Sequence, residues 1–247
     1  MLAIYQLSIV NLKMLYRNVG GLFWTIVMPT GLYVALSVLP IPRFGVNQVA
    51  YKDFVLPGIL AYSIMSSGIY GLAYWMTDMK ARGVIKRFLV TPIKTRDLVL
   101  GLLVSRILVM FMQVVLITVV GMVFFNAHIT GSILGIILLI LLGGGIFLLI
   151  GLLIANFATS YESAAPLTAA IGMPFAFLGN VFFPTGGLPA GLKAVAGVLP
   201  ITYLADGLRK CFLDSASLIS IQKDLIFLLL WFLALLLLTM KVFKLKE

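Results

Sequence analysis

The sequence predicts an all-α membrane protein of six transmembrane helices. A helix lying in the membrane interface precedes them, one loop carries a short amphipathic helix, and another carries a re-entrant helical element. Three observations lead there. Hydrophobic residues make up 62% of the 247 and charged residues 11%, where a soluble chain averages about 45–50% and about 25%. No single soluble core of this size hides so much apolar surface. Six runs approach the roughly 20 apolar residues that cross a hydrocarbon layer about 30 Å thick. The runs are continuous rather than alternating, which argues against a β-barrel.

Residues 2–17 read as the interfacial helix. Gln6, Lys13 and Arg17 share one face, while Ile4, Leu12, Leu15 and Tyr16 lie elsewhere, so a basic face can meet lipid phosphates. Ser8 and Asn11 interrupt the apolar side. The same polar residues make this stretch unlike a cleavable signal peptide, so the mature and encoded chains are expected to coincide. The spans follow at about 19–39, 54–76, 98–125, 133–155, 164–183 and 225–243. Pro29 lies in the first, Pro166 and Pro174 in the fifth, where neighbouring helices can accommodate the freed carbonyls. Arg106 in the third is expected to snorkel toward the interface. Gly143, Gly144 and Gly145 in the fourth point to close helix packing.

The net charge of +10 reports sidedness rather than nucleic acid. Lys80, Arg82, Lys86, Arg87, Lys94 and Arg96 crowd the loop 78–97, and basic residues in short loops stay cytoplasmic. Both termini are then cytoplasmic, and the chain is a multi-pass protein of the plasma membrane in contact with lipid. In this loop Val84, Ile85, Phe88 and Leu89 fall on one face of a short helix that Pro92 ends. An apolar stripe on a cytoplasmic loop rests on the membrane or enters a groove on a partner.

The connection 184–224 is too apolar for exposed coil. Leu188, Leu192, Val195 and Leu199 recur at helical spacing, and backbone that enters the membrane without crossing it must be buried in protein or line a cavity. A second helix over 203–212 would carry Asp206 and Arg209, which at i, i+3 can pair.

Much chemistry is missing. Cys211 and His128 are the single cysteine and histidine, so one chain holds neither a disulfide nor a multi-histidine metal site. There is no phosphate-binding Gly-x-x-x-x-Gly-Lys-Ser/Thr loop and no carboxylate cluster in a span. The chain is therefore expected to be no enzyme, and to bind no cofactor or metal. One polar stripe stands out in the second span: Tyr62, Ser66, Tyr70 and Tyr74 recur every four residues. Asn180 is a further polar group in the fifth span. Hydroxyls in lipid seek partners, so this face looks into the bundle or a cavity. Interhelical hydrogen bonding and a path for an amphipathic substrate both fit.

Three stretches carry a family likeness: YRNVGGLFWTIVMP (16–29), RGVIKRFLVTPI (82–93) and FFPTGGLPAGLKAVAGVLPITYLADGLR (182–209). In order and spacing the chain resembles the permease subunit of an ATP-binding-cassette transporter of the type-2 export family, whose members move drugs, lipids and polysaccharides. The resemblance implies a translocation pathway formed with a second permease chain, a copy of itself or a sister. It also implies two copies of a cytoplasmic ATPase, which hold the ATP and magnesium. Arg82, Gly83, Val84, Ile85, Phe88, Leu89 and Pro92 would form the cytoplasmic coupling helix seated on that ATPase. The second and fifth spans, with Tyr62, Ser66, Tyr70, Tyr74 and Asn180, would face the pathway. The alternative is a secondary, ion-coupled carrier, but such carriers keep ionisable groups near the midplane, and the spans hold no carboxylates.

Overall fold

A computed structural model describes residues 2–41, 49–84 and 95–242. These are built from α-helices and short turns: α1 Leu2–Arg17, α2 Val19–Val38, α3 Tyr51–Ala81, α4 Thr95–Phe125, α5 Ile133–Phe157, α6 Tyr161–Leu178, α7 Ala190–Ala196, α8 Pro200–Leu213 and α9 Gln222–Val242. α2, α3, α4, α5 and α9 are long and apolar enough to cross a membrane. α6, at 18 residues with Pro166 and Pro174 inside it, spans about 27 Å and is not among those five.

Local chemistry sets most boundaries. Asn18 starts α2, its Oδ1 accepting from the Gly21 amide at 3.0 Å. Ser132 starts α5 by accepting from the Gly135 amide at 3.2 Å. Ser160 and Ser163 form a reciprocal capping box at the start of α6. Pro200 occupies the first turn of α8, where its missing amide costs nothing. Pro29 in α2 cannot donate to the Thr25 carbonyl one turn back. The Gln113 side-chain amide of α4 donates to that carbonyl instead, as the sequence reading of proline in a span requires.

α3 and α5 form the centre, with α8 packed across them. Val55, Ile59, Leu60, Ile64, Ile69 and Leu72 of α3 are fully enclosed, as are Phe147 of α5 and Ile201, Leu204 and Leu208 of α8. The glycine run of α5 is a three-way packing site. A Cβ at Gly143 would lie 2.7 Å from Leu204 of α8, at Gly144 2.8 Å from Met110 of α4, and at Gly145 2.7 Å from Phe232 of α9. α9 turns Ile226, Leu230 and Leu237 outward, as does α4 with Val115 and Val123; these are faces suited to lipid.

Four expectations need correction. The fifth apolar run does not stay helical to 183: α6 ends at Leu178, and Asn180 adopts a left-handed φ of 57° that turns the chain. The second span is longer than 54–76, because Tyr51 and Met79 are also buried against the bundle. Arg106 does not snorkel. It is only 6% exposed, roofed by α1 and facing the Trp75 ring, whose centroid lies 5.8 Å from its guanidinium carbon. The helix in the long connection also begins earlier than 203, at Pro200, and runs to Leu213.

Candidate translocation face

α3 is the most enclosed of the long helices, which makes its open positions informative. Between Val55 and Thr77 every residue is buried except Tyr62, Ser66, Tyr70, Gly71, Tyr74 and Trp75. The four-residue spacing read in the sequence therefore marks a half-open, hydroxyl-bearing face, joined only by Gly71 and Trp75, on a mostly closed stretch of helix. A π-type turn over Ser67–Gly71 widens the helix between Ser66 and Tyr74; such turns recur at functional sites.

The face is shared with α6. The Tyr74 and Thr168 hydroxyls are 2.8 Å apart, and the Tyr74 ring lies 4.7 Å from that of Tyr161 and 6.1 Å from that of Tyr70. Tyr70 rests on Gly172, where any Cβ would overlap its hydroxyl. Farther along, the Tyr62 ring meets Phe182 at 5.7 Å, and Phe182 meets Phe177 at 6.1 Å. Aromatic rings thus run the length of the α3–α6 seam, with Ser66 between them. The sequence reading left two meanings for the stripe. Tyr74 and Tyr70 make interhelical contacts, and all four positions stay partly open on the same side.

Asn180 stands at one end of this seam, past the end of α6. Its Nδ2 donates to Asp206 Oδ1 at 2.5 Å, its Oδ1 accepts from the Thr185 amide at 3.3 Å, and its carbonyl accepts from Arg209 Nη2 at 2.9 Å. Arg209 Nη1 lies 2.9 Å from the same Asp206 oxygen. The guanidinium carbon of Arg209 stacks 4.0 Å from the centroid of the Phe54 ring. Burial raises the Asp206 carboxyl above its ordinary value, against the pull of Arg209 and the hydrogen bond from Asn180. Burial also lowers Arg209 to about 10, against the pull of Asp206. A cleft of about 270 Å³ opens over these groups, also lined by Lys210 and Asp214. The Asp206–Arg209 pairing was legible from spacing, whereas Asn180 as their third member was not. A sequence signal for it exists in the Gly-Asn pair at a helix end, a common left-handed stop.

At the other end, Lys80 Nζ donates to the Ala155 carbonyl in the last turn of α5, at 2.5 Å, a favourable place for a cation. Arg82 pairs with Asp78 at 2.8 Å on the surface. Gly83 takes a left-handed φ of 66°, which ends α3 and turns the chain at little steric cost. Val84 is half-buried. Ile85, Phe88, Leu89 and Pro92 lie outside the described residues. Among the described residues no group of three or more His, Cys, Asp or Glu side chains converges as a metal site.

A bundle with five helices long and apolar enough to cross a membrane defines a multi-pass membrane protein. The chain belongs to the ABC-2 type transporter family, whose pattern matches residues 3–213. It is 25% identical over 174 residues to the inner membrane transport permease YadH of Escherichia coli K12, covering 69% of this chain and 67% of that one. The probable multidrug ABC transporter permease YbhR of the same organism is 22% identical over 181 residues, 73% of this chain and 48% of YbhR. Nodulation protein J of Bradyrhizobium diazoefficiens is 26% identical over 173 residues, 70% of this chain and 66% of that protein. The chain is thus a permease component of a transporter.

Proposed function

We propose that the chain is the membrane-spanning half of an ATP-driven exporter, with the α3–α6 seam as its share of the path for an amphipathic substrate. The observation that carries this reading is the half-open line of Tyr62, Ser66, Tyr70 and Tyr74 on a helix whose other positions are mostly enclosed. Aromatic rings offer apolar faces and hydroxyl tips together, which suits a drug, an antibiotic, a lipid or a glycan-bearing lipid. A second permease chain, identical or sister, faces this seam and closes the path. α6 serves as the sixth crossing, shortened by its prolines, and both termini lie in the cytoplasm.

ATP and magnesium belong to a separate ATPase, two copies of which sit beneath the permease pair. Arg82, Gly83, Val84, Ile85, Phe88, Leu89 and Pro92 form the coupling segment. Its position supports this role. Its first residue, Arg82, follows the end of α3, where Lys80 bonds the α5 carboxyl end and joins the two central helices. The test replaces Phe88 and Leu89 together with Asp and isolates the tagged permease in mild detergent. Loss of a stoichiometric ATPase from the preparation, with membrane insertion unchanged, is the expected result. An ATPase that still co-purifies in full overturns the coupling assignment.

A further inference from the structure

The Arg106 guanidinium is a buried cation without a counter-charge among the described residues. Its residue is 6% exposed, and the ion pairs among the described residues engage Asp78, Asp206 and Asp224 with other partners. Its one attractive contact of note is the Trp75 ring at 5.8 Å, at the far limit of a cation–π interaction. On its other side it approaches Gly71 so closely that a Cβ there would stand 3.0 Å from Nη1. Leaving a buried cation uncompensated is expensive, and ionisable groups inside a membrane bundle mark sites.

An unsatisfied donor belongs to a neighbouring residue. Asn11 of α1 has a buried Nδ2 without a hydrogen-bond partner among the described residues. Asn11 and Arg106 line one small cavity, together with Leu12, Trp75 and Ser105. The Ser105 hydroxyl is already committed to the Leu102 carbonyl at 2.7 Å. An orphaned amide donor beside a buried cation calls for an acceptor that carries negative charge. The cavity measures about 10 Å³, room for about one oxygen atom. A water molecule satisfies the donors and leaves the charge. A phosphate oxygen does both, through charge-assisted bonds.

We propose that Arg106 and Asn11 bind one phosphate oxygen of an anionic membrane phospholipid, seated at the seam between α1 and α4. The lipid source follows from the surroundings. α1 lies against the first half of α4, with the Ser8 hydroxyl bonded to the Gly101 carbonyl at 3.0 Å. The outward positions of α1 include Lys13, Met14, Tyr16 and Arg17, an apolar and basic surface that draws anionic headgroups. A phosphodiester inserts one oxygen and leaves its glycerol and chains in the membrane. Free phosphate inserts an oxygen in the same way but lacks the chains that hold a lipid at this seam. The site does not depend on the path assigned to the α3–α6 seam.

The test uses the full chain in mild detergent, stripped of lipid and returned to phosphatidylglycerol. Native mass spectrometry should show one retained lipid per chain, reduced about tenfold in Arg106→Gln and largely kept in Arg106→Lys. Phosphatidylglycerol should raise the melting temperature of the wild type and not of R106Q. Should R106Q fail to accumulate, Asn11→Leu on the outer wall of the cavity gives the same reading. Excess inorganic phosphate should leave the lipid adduct in place. Lipid retention equal to wild type in R106Q, or in Asn11→Leu where R106Q does not accumulate, overturns the site. A thermal shift from inorganic phosphate that abolishes the lipid adduct overturns the lipid assignment in favour of a free anion.

Discussion

Asn180 does two jobs that different substitutions separate. Its left-handed backbone favours Gly or Asn over residues with an ordinary Cβ, and its side chain bonds both Asp206 and the Thr185 amide. Asn180→Gly keeps the turn and loses the bonds, one of them to a charged group; a cost of about 2 kcal/mol follows. Asn180→Ala loses both, and about 3 kcal/mol is expected. Thermal melts of the two purified variants check the order, and an alanine variant as stable as the glycine one refutes the backbone part. The cluster also predicts a pH dependence. Because burial raises Asp206, the folded state holds its proton more tightly than the unfolded chain. The carboxyl's stabilising contribution is complete below its ordinary value of 3.8 and declines as pH rises through the raised one. Melting curves from about pH 4 to pH 7 should show this decline in the wild type and lose it in Asp206→Asn.

At the scale of elements, the contact between α3 and α5 depends on two glycines that meet backbone. A Cβ on Gly68 would lie 2.5 Å from the Phe147 Cβ, and one on Gly151 would overlap the Gly68 carbonyl. Neither obstacle is the movable end of a side chain. Gly151→Val should therefore destabilise the bundle by about 3 kcal/mol or more and sharply reduce folded protein in the membrane, as read by fluorescence-detected gel filtration. Gly31, which meets nothing within 4 Å, is the control: Gly31→Ala should behave as wild type. Elements of this kind were largely legible in the sequence. Hydrophobic length located five spans, and the glycine run of α5 signalled close packing. The legibility fails where tertiary contact overrides composition. Arg106 reads as a snorkelling residue because nothing in α4 itself says that α1 folds over it. α6 reads as running to 183 because Val181, Phe182 and Phe183 are apolar, yet Asn180 turns the chain. The π-type turn of α3 leaves no mark in hydropathy at all.

For the molecule as a whole, the open question is whether the α3–α6 seam is a packing surface or a path. The geometry permits a decision because the stripe's residues are not equally committed. Tyr74 is held by Thr168 and packs against the tilted Tyr161 ring, while Tyr62 touches Phe182 by its ring alone among the contacts across the seam. If packing is the whole role, Tyr74→Phe should be the damaging change, through the lost hydroxyl bond, and Tyr62→Ala should matter less. A path has the opposite order: removing any ring strips substrate-contacting surface, whereas loss of one hydroxyl leaves the aromatic face intact. Tyr62→Ala and Tyr70→Ala should then change substrate-stimulated ATP hydrolysis by the assembled transporter by roughly three- to tenfold, the worth of one aromatic contact. Expression should stay level, and Tyr74→Phe should stay near wild type. Basal hydrolysis, measured without substrate in the same preparations, separates the two effects, since a packing defect lowers both rates and a path defect lowers the stimulated one. Stimulation unchanged in both alanine variants would assign the stripe to helix packing and move the search for the path to another face of the bundle.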